Sequence, residues 1–382
     1  MNQRSYLDYN ATAPLRTEVR EAVAEALRIV GNPSSVHQEG RTARAAIEAA
    51  RVKVARLVGA APEDVIFTSG GTEANALALA AQSGEAWHCY LSAIEHPSVL
   101  AGGRFYRETT TVIPVTGEGV IDLEILASEL AKHHLGGWRP FVSLMAANNE
   151  TGAIQPVAEA SEIVHSAGGL LHSDAVQAAG RMTFDMASLG ADMLSLSAHK
   201  IGGPKGVGAL VLKPGVAVEP LVKGGGQERR KRAGTENVAG IVGFGVAAEL
   251  AGADLAKTEA IGALKEALEA GALAIAPEGV IVSKAVPRLV NTSCIAVPGA
   301  KAETLVIGLD LAGVAVSAGS ACSSGKVEAS HVLGAMGVAP ELAQGAIRVS
   351  LGIGTTSADI ERFLGAFGEL IKRLKQSRKV AA

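Results

Sequence analysis

At 382 residues the chain is longer than one hydrophobic core usually serves, so two domains, or a large domain with a smaller satellite, are expected. Hydrophobic residues make up 48% and charged residues 19%, and the 45 glycines are scattered without period, which excludes collagen-like, low-complexity and disordered classes. With 35 basic against 38 acidic residues the net charge is −3, too balanced for a general attraction to nucleic acid or an anionic membrane.

The opening MNQRSYLDYNATAP has no apolar core of the kind a secretory signal needs, and no stretch approaches 18 uninterrupted apolar residues, so a cytoplasmic protein with no membrane partner is expected. From about residue 62 to 215, short β-rich runs alternate with helical patterns. The runs are VIFT (65–68), CYLS (89–92), FVSLMAA (141–147), LLHSD (170–174), MLSLS (193–197) and VGALVL (207–212). Helical composition and start signals occupy 72–82, 122–134 and 156–168. This rhythm predicts an α/β domain whose mostly parallel sheet is covered by helices. Near 252–262 the chain becomes a small-residue helical stretch, followed by shorter strands at 293–297, 314–318 and 347–351 and a last helix from Ser357. A smaller α+β domain follows, with boundaries expected at 16–255 for the large domain and at 1–15 plus 256–382 for the small one.

Cysteine occurs three times, at Cys89, Cys294 and Cys322, with no CxxC pair, so neither a disulfide framework nor a zinc site is indicated. Cys89 and Cys294 sit in strand-like runs and read as buried, inert thiols. Cys322 lies in SAGSACSSGK, a run of small residues unsuited to a core helix, which predicts a loop able to carry a thiolate to a ligand. Asn149-Glu150-Thr151 and Asn291-Thr292-Ser293 match the glycosylation sequon by accident.

Lys200 follows the MLSLS strand, where a lysine can be desolvated into an amine nucleophile or simply lie exposed at a strand end. The glycine-rich turn after it, 202–206, lacks the GxxxxGK[ST] of a phosphate loop. Asp174 closes the LLHSD strand, so carboxylate and lysine at adjacent strand ends could face one pyridoxal ring, whose nitrogen needs a carboxylate to stay protonated. Gln177, three residues on, could donate to the ring oxygen. Thr68 to Glu73 closes a strand and opens a helix, so the Gly71 and Thr72 amides and the Thr72 hydroxyl suit a phosphate. A plain turn capped by Thr72 is the alternative. The basic run Glu228-Arg229-Arg230-Lys231-Arg232 is short and lacks interleaved aromatics, which predicts a solvated loop near an anionic cofactor rather than a nucleic-acid surface.

The ordered segments YLDYNATAP (6–14), GNPSSVH (31–37), FTSGGTEAN (67–75), EHPSV (95–99), NNETG (148–152), HSDAVQ (172–177), SAHK (197–200), RAGTEN (232–237), SAGSACSSG (317–325) and IRVSLG (347–352) run over nearly the whole chain. Together they resemble the class V aminotransferase family of fold-type I pyridoxal-phosphate enzymes, and within it the NifS-like and IscS-like cysteine desulfurases. The resemblance implies a large domain with a mostly parallel seven-stranded sheet, a smaller α+β domain and pyridoxal 5'-phosphate as cofactor. It implies that Lys200 binds the cofactor covalently, Asp174 pairs with its ring nitrogen, and Gln177 and Asn149 touch its ring oxygen. His96 would stack on the ring and assist proton transfer, and Gly71, Thr72, Ser197 and His199 would hold the phosphate. Arg348 would grip the substrate carboxylate, with Asn32 a second candidate for that role.

The same resemblance implies a homodimer in which Thr235 completes the phosphate site of the neighbouring subunit. The implied reaction takes sulfur from L-cysteine, leaving L-alanine and a persulfide on Cys322, and passes the sulfur to an acceptor protein for iron-sulfur assembly or thiolation. No resident metal is implied, although Cys322 could hold a transient iron-sulfur cluster. The Ser-x-Gly-Ser-Ala-Cys form marks the group with a long catalytic loop. Two departures stand out: Ala198 replaces a common glycine, and the end Arg378-Lys379-Val380-Ala381-Ala382 lacks a recognisable segment for docking a scaffold protein, which leaves the acceptor open. The rival readings are a selenocysteine lyase or another class V lyase or aminotransferase, told apart by activity that survives loss of Cys322, and a silent scaffold in a sulfur relay, against which the intact set of candidate residues argues.

Overall fold

Seven strands form the largest sheet of this protein, known here from a computed structural model that describes residues 4–80, 87–134, 137–319 and 330–381. Their spatial order is Val65–Thr68, Gly208–Leu212, Met193–Ser197, Leu170–Asp174, Arg139–Ser143, Trp87–Ser92 and Thr110–Ile113. All are parallel except Gly208–Leu212, which runs antiparallel to both neighbours. Val65–Thr68, Trp87–Ser92, Met193–Ser197 and Gly208–Leu212 are buried along their whole length, as expected of strands covered on both faces.

Helices supply that cover. Gln38–Leu57 starts at His37, whose side chain accepts from the Gly40 N–H, and it buries Ala43, Ile47, Ala50 and Val54 as one stripe. The stripe packs on Val238–Asp254 at close range, because a Cβ on Gly245 would lie 2.6 Å from Ala50 Cα. By length and composition the stretch Val238–Ile275 could cross a membrane, yet Ile241, Phe244, Ala247, Ala248 and Ala251 are buried in the main core.

A second sheet of four antiparallel strands has the order Ser317–Ala318, Ala346–Ser350, Thr292–Ala296 and Val280–Ile281. Its core joins Leu7 to Leu268, Ile295, Phe363 and Phe367. A further cluster, in which Ile94 and Met145 meet Cys294, Val332 and Ala346, ties this core to the large sheet. The single strand expected at 314–318 is two. Val314–Ala315 pairs in parallel with Ser5–Tyr6, while Ser317–Ala318 pairs with Ala346–Ser350, so the chain changes sheets at Val316.

The expectation of a solvated basic loop needs correction at its first residue. Glu228 is 4% exposed and accepts from Arg51 at 2.7 and 3.0 Å and from the Phe67 N–H at 2.9 Å. Arg51 is itself buried over the Phe67 ring, so without Glu228 it would lack a full counter-charge. This anchor bends the backbone into left-handed geometry at Glu228, Arg229 and Arg230, with φ of 42°, 54° and 66°. Only Arg229 and Arg230 point to solvent as expected.

Candidate active site

The carboxyl ends of the parallel strands lie on one edge of the large sheet, where chain turns leave side chains free to converge. The strand Leu170–Asp174 ends on Asp174, Met193–Ser197 leads into Lys200, Trp87–Ser92 leads to His96, and Val65–Thr68 leads to the helix Gly71–Ala78. The register Asp174↔Ser195 brings the first two alongside each other. A cavity of about 290 Å³ opens between them, walled by Gly71, Thr72, His96, Asn149, Asp174, Gln177, Ser197, His199, Lys200 and Arg348 among others.

Each wall residue is fixed by identifiable contacts. Asp174 is nearly buried, and its oxygens accept from Asn75 Nδ2 at 2.7 Å and from the Val176 N–H at 2.9 Å. Lys200 Nζ donates to the carbonyls of Asn10 and Ala11 at 2.6 and 2.9 Å. Gln177 Nε2 donates to the same Asn10 carbonyl at 3.1 Å. His96 Nδ1 accepts from the Ser98 N–H at 3.1 Å, so in the neutral ring the proton sits on Nε2. Burial lowers the His96 pKa, with Lys200 and His331 adding to the effect and Asp174 opposing it, which keeps that ring neutral at pH 7. Burial first, then Lys200, Lys205 and Arg181, bring His199 down to about 4, while its Nδ1 lies 3.2 Å from Thr12 Oγ1.

Arg348 is 2% exposed and donates to Asp8 Oδ1 at 2.7 Å and to the Asn149 carbonyl at 3.2 Å. Its Nε is buried and has no hydrogen-bond partner among the described residues. The backbone at the start of the helix Gly71–Ala78 packs closely on neighbouring strand ends: a Cβ on Gly71 would lie 3.0 Å from Val176 Cγ2 and 3.4 Å from Ser197 Cβ.

Two of the sequence candidates stand apart from the cavity. Asn32 lies exposed before the helix Gln38–Leu57, its Oδ1 accepting from the Ser34 N–H at 2.9 Å. Thr235 is also exposed and does not line the cavity of its own chain. Cys322 lies outside the described residues. Cys89 and Cys294 are buried free thiols, the first pushed up by burial and the second to about 12 by burial and Glu150.

Sequence reasoning missed Asn10, Asn75 and Asp8. Asn75 stands one helical turn after Gly71, a spacing that could have placed it behind the phosphate cradle. Asn10 and Asp8 reach the site only because the N-terminal segment crosses to Ala346–Ser350, with Asn10 N donating to Ser350 Oγ at 3.0 Å. No local signal announces that crossing.

The aminotransferase class-V family model matches residues 5–363. The chain belongs to the class-V aminotransferase family. A cysteine desulfurase of Cereibacter sphaeroides is 45% identical over 98% of this chain and 97% of its own. The cysteine desulfurase IscS of Dictyoglomus turgidum is 43% identical over 98% and 96%. Among solved structures, the NifS-like protein of Rickettsia africae superposes with a TM-score of 0.89 at 37% identity, covering 97% of this chain and all of its own.

Pyridoxal phosphate is the cofactor of class-V aminotransferases, and the donor set fits it. A carboxylate held by two donors suits a ring nitrogen that must stay protonated, an amine faces the same space, and the helix opening at Gly71 and Thr72 beside Ser197 suits a phosphate dianion.

Proposed function

We propose that this chain is a pyridoxal-phosphate-dependent cysteine desulfurase that converts L-cysteine to L-alanine and leaves the sulfur as a persulfide on Cys322. The observation that carries the reading is the convergence of Lys200, Asp174, His96 and Arg348 on one cavity in a class-V chain. The relatives named cysteine desulfurase support the choice of substrate.

Each residue has a distinct task. Lys200 would hold the cofactor through Nζ, and the same amine would take the proton from the substrate α-carbon. Asp174 keeps the ring nitrogen protonated, and Gly71, Thr72, Ser197 and His199 hold the phosphate. When bound, the cofactor supplies an electron sink for the charge left on the α-carbon. Gln177 and Asn149, both in the cavity wall, would contact the ring oxygen. Arg348, in the cavity wall, would bind the substrate carboxylate, which fixes the α-carbon relative to Lys200. His96, neutral with its proton on Nε2, donates and recovers a proton beside the substrate thiol. Cys322 attacks the substrate sulfur as thiolate: an S–S bond forms, the Cβ–S bond breaks, and its electron pair stays with the three-carbon fragment, which gains a proton and leaves as alanine. The balance is L-cysteine plus enzyme thiol giving L-alanine plus enzyme persulfide.

Two subunits form the active unit in this reading. Thr235 is exposed and does not line its own cavity, and Leu27, Val30 and Val36 are 72%, 92% and 87% exposed, apolar surface that a dimer contact could cover. The persulfide passes to an acceptor protein. The test is to supply the cofactor-loaded protein with L-cysteine and a reductant and to measure alanine and sulfide. Equal amounts support the assignment, and absence of alanine refutes it.

A further inference from the structure

The guanidinium of Arg181 sits behind the cavity rather than in its wall, and it has no carboxylate partner among the described residues. Its Nη1 donates to the side-chain Oε1 of Gln177 and, at 3.2 Å, to the Gln177 carbonyl. Its Nη2 donates to the carbonyls of Lys200 and Tyr9 at 3.2 and 3.3 Å. All of these acceptors lie next to the cofactor site, and one belongs to a side chain that faces it.

An amide side chain has two ends that look alike in shape and opposite in chemistry: an oxygen that accepts and a nitrogen that donates. Which end faces the cavity is decided by neighbours. A guanidinium has donors only, so Arg181 can face only the oxygen of Gln177. The amide nitrogen is thereby turned to the cavity side, where it already donates to the Asn10 carbonyl that Lys200 Nζ also uses. Were Arg181 absent, only the Asn10 carbonyl would hold the amide nitrogen on the cavity side, and rotation by half a turn, which would present the amide oxygen to an anionic ring oxygen, would cost less.

We infer that Arg181 is a positioning residue that locks the Gln177 amide with its donor towards the cofactor's ring oxygen, and so sets the protonation of the nitrogen through which Lys200 holds the cofactor. The inference rests on the cofactor reading above. Arg181 stays charged at neutral pH, since burial and Arg348 bring its pKa down only to about 9. The oriented donor draws negative charge from the ring oxygen, and Arg181 acts on that oxygen through the amide it orients. With either removed, more charge stays there and the neighbouring nitrogen of Lys200 holds its proton to higher pH.

The experiment follows the visible absorption of the cofactor-loaded protein as a function of pH for wild type, Arg181→Met, Gln177→Leu and the double variant. Arg181→Met should raise the midpoint by about one pH unit, the scale of one lost hydrogen bond to a charged group. In the Gln177→Leu background the same substitution should add less than about a third of that shift, because the amide it orients is gone. An equal shift in both backgrounds overturns the inference, as does no shift in the single variant. A wild-type protein that gains no visible absorption on loading overturns the cofactor reading itself, and with it this step. Should Arg181→Met fail to fold by circular dichroism, Arg181→Gln, neutral and polar, takes its place in the same comparison.

Discussion

Arg348 donates through Nη2 to Asp8 Oδ1 at 2.7 Å, a contact between residues 340 positions apart. With Nη1 on the Asn149 carbonyl, the plane of the guanidinium is set before a ligand arrives, so little side-chain entropy is left to lose when a carboxylate binds. Arg348→Ala should therefore reduce kcat/KM by about 30-fold to several-thousand-fold, the scale of about 2 to 5 kcal/mol for truncating one partner of a buried charge pair. Cofactor retention should change little. Asp8→Asn keeps an acceptor oxygen and should cost less than Arg348→Ala. Steady-state kinetics decide, and a loss below about threefold for Arg348→Ala would mean that another group holds the carboxylate.

Lys200→Ala removes the amine that reaches the Asn10 and Ala11 carbonyls at the cavity wall. Turnover should be abolished and the visible absorption of bound cofactor altered, with circular dichroism unchanged. Alanine formed at the wild-type rate would end the assignment.

Much of this was legible because strand chemistry is local. MLSLS and LLHSD announce buried strands, and Lys200 and Asp174 stand at their ends, so their proximity follows once the strands are neighbours. Partners brought in by long-range crossings are different. Asp8, Asn10 and Arg181 carry no motif chemistry of their own and matter through what they hold. Glu228 was misread for a related reason: among four basic neighbours it resembles one member of a solvated run, and only the buried Arg51, 177 positions away, makes it an anchor. The break at Val316 is likewise invisible in a run of uniformly strand-like residues, since it depends on which sheet each half joins.

Cys322→Ser should retain cofactor and still bind cysteine, yet transfer no sulfur, because a hydroxyl at neutral pH is a poor nucleophile towards sulfur. The buried thiols of Cys89 and Cys294, with pKa raised by burial, are in no position to substitute for it. Trapping of persulfide with an alkylating reagent, followed by mass spectrometry, is the measurement. Undiminished sulfide release by the serine variant would favour a lyase that needs no thiol.

A pH effect should come from Glu150, 3% exposed, whose carboxyl accepts from Ser330 Oγ at 2.6 Å. Burial raises its pKa from 4.5 to about 7, against the opposing influence of the Ser330 hydrogen bond and Arg348. Because the folded-state pKa is the higher one, its contribution to stability is fully present below about pH 4.5 and is lost as pH rises through about 7. The scale is about 3 kcal/mol from the linkage relation. His172, pulled down to about 4 by burial, acts in the opposite sense, so only a difference between proteins is diagnostic. Glu150→Gln keeps an acceptor for Ser330 and cannot ionise. Its stability relative to wild type, from denaturant titrations, should rise steadily between pH 5 and 7.5 on the order of that amount. Parallel curves for the two proteins would show that Glu150 does not titrate there.

The dimer makes the sharpest claim, because it assigns one phosphate ligand to each neighbour's site. Thr235 is exposed on its own chain and does not line its own cavity, so in the proposed dimer it would supply a phosphate ligand to the partner's cradle at Gly71 and Thr72. Thr235→Ala should weaken cofactor retention, by about a factor of ten for one lost hydrogen bond to a charged group. Lys200→Ala should be inactive by itself. In a heterodimer of the two variants, one site combines the intact Thr235 of the Lys200→Ala chain with the intact Lys200 of the Thr235→Ala chain and is whole, while the other carries both defects. Subunit exchange, followed by assay at limiting cofactor, should therefore recover activity well above the sum of the parents. A fully active monomer in sedimentation, or recovery no greater than that sum, would place Thr235 outside the site.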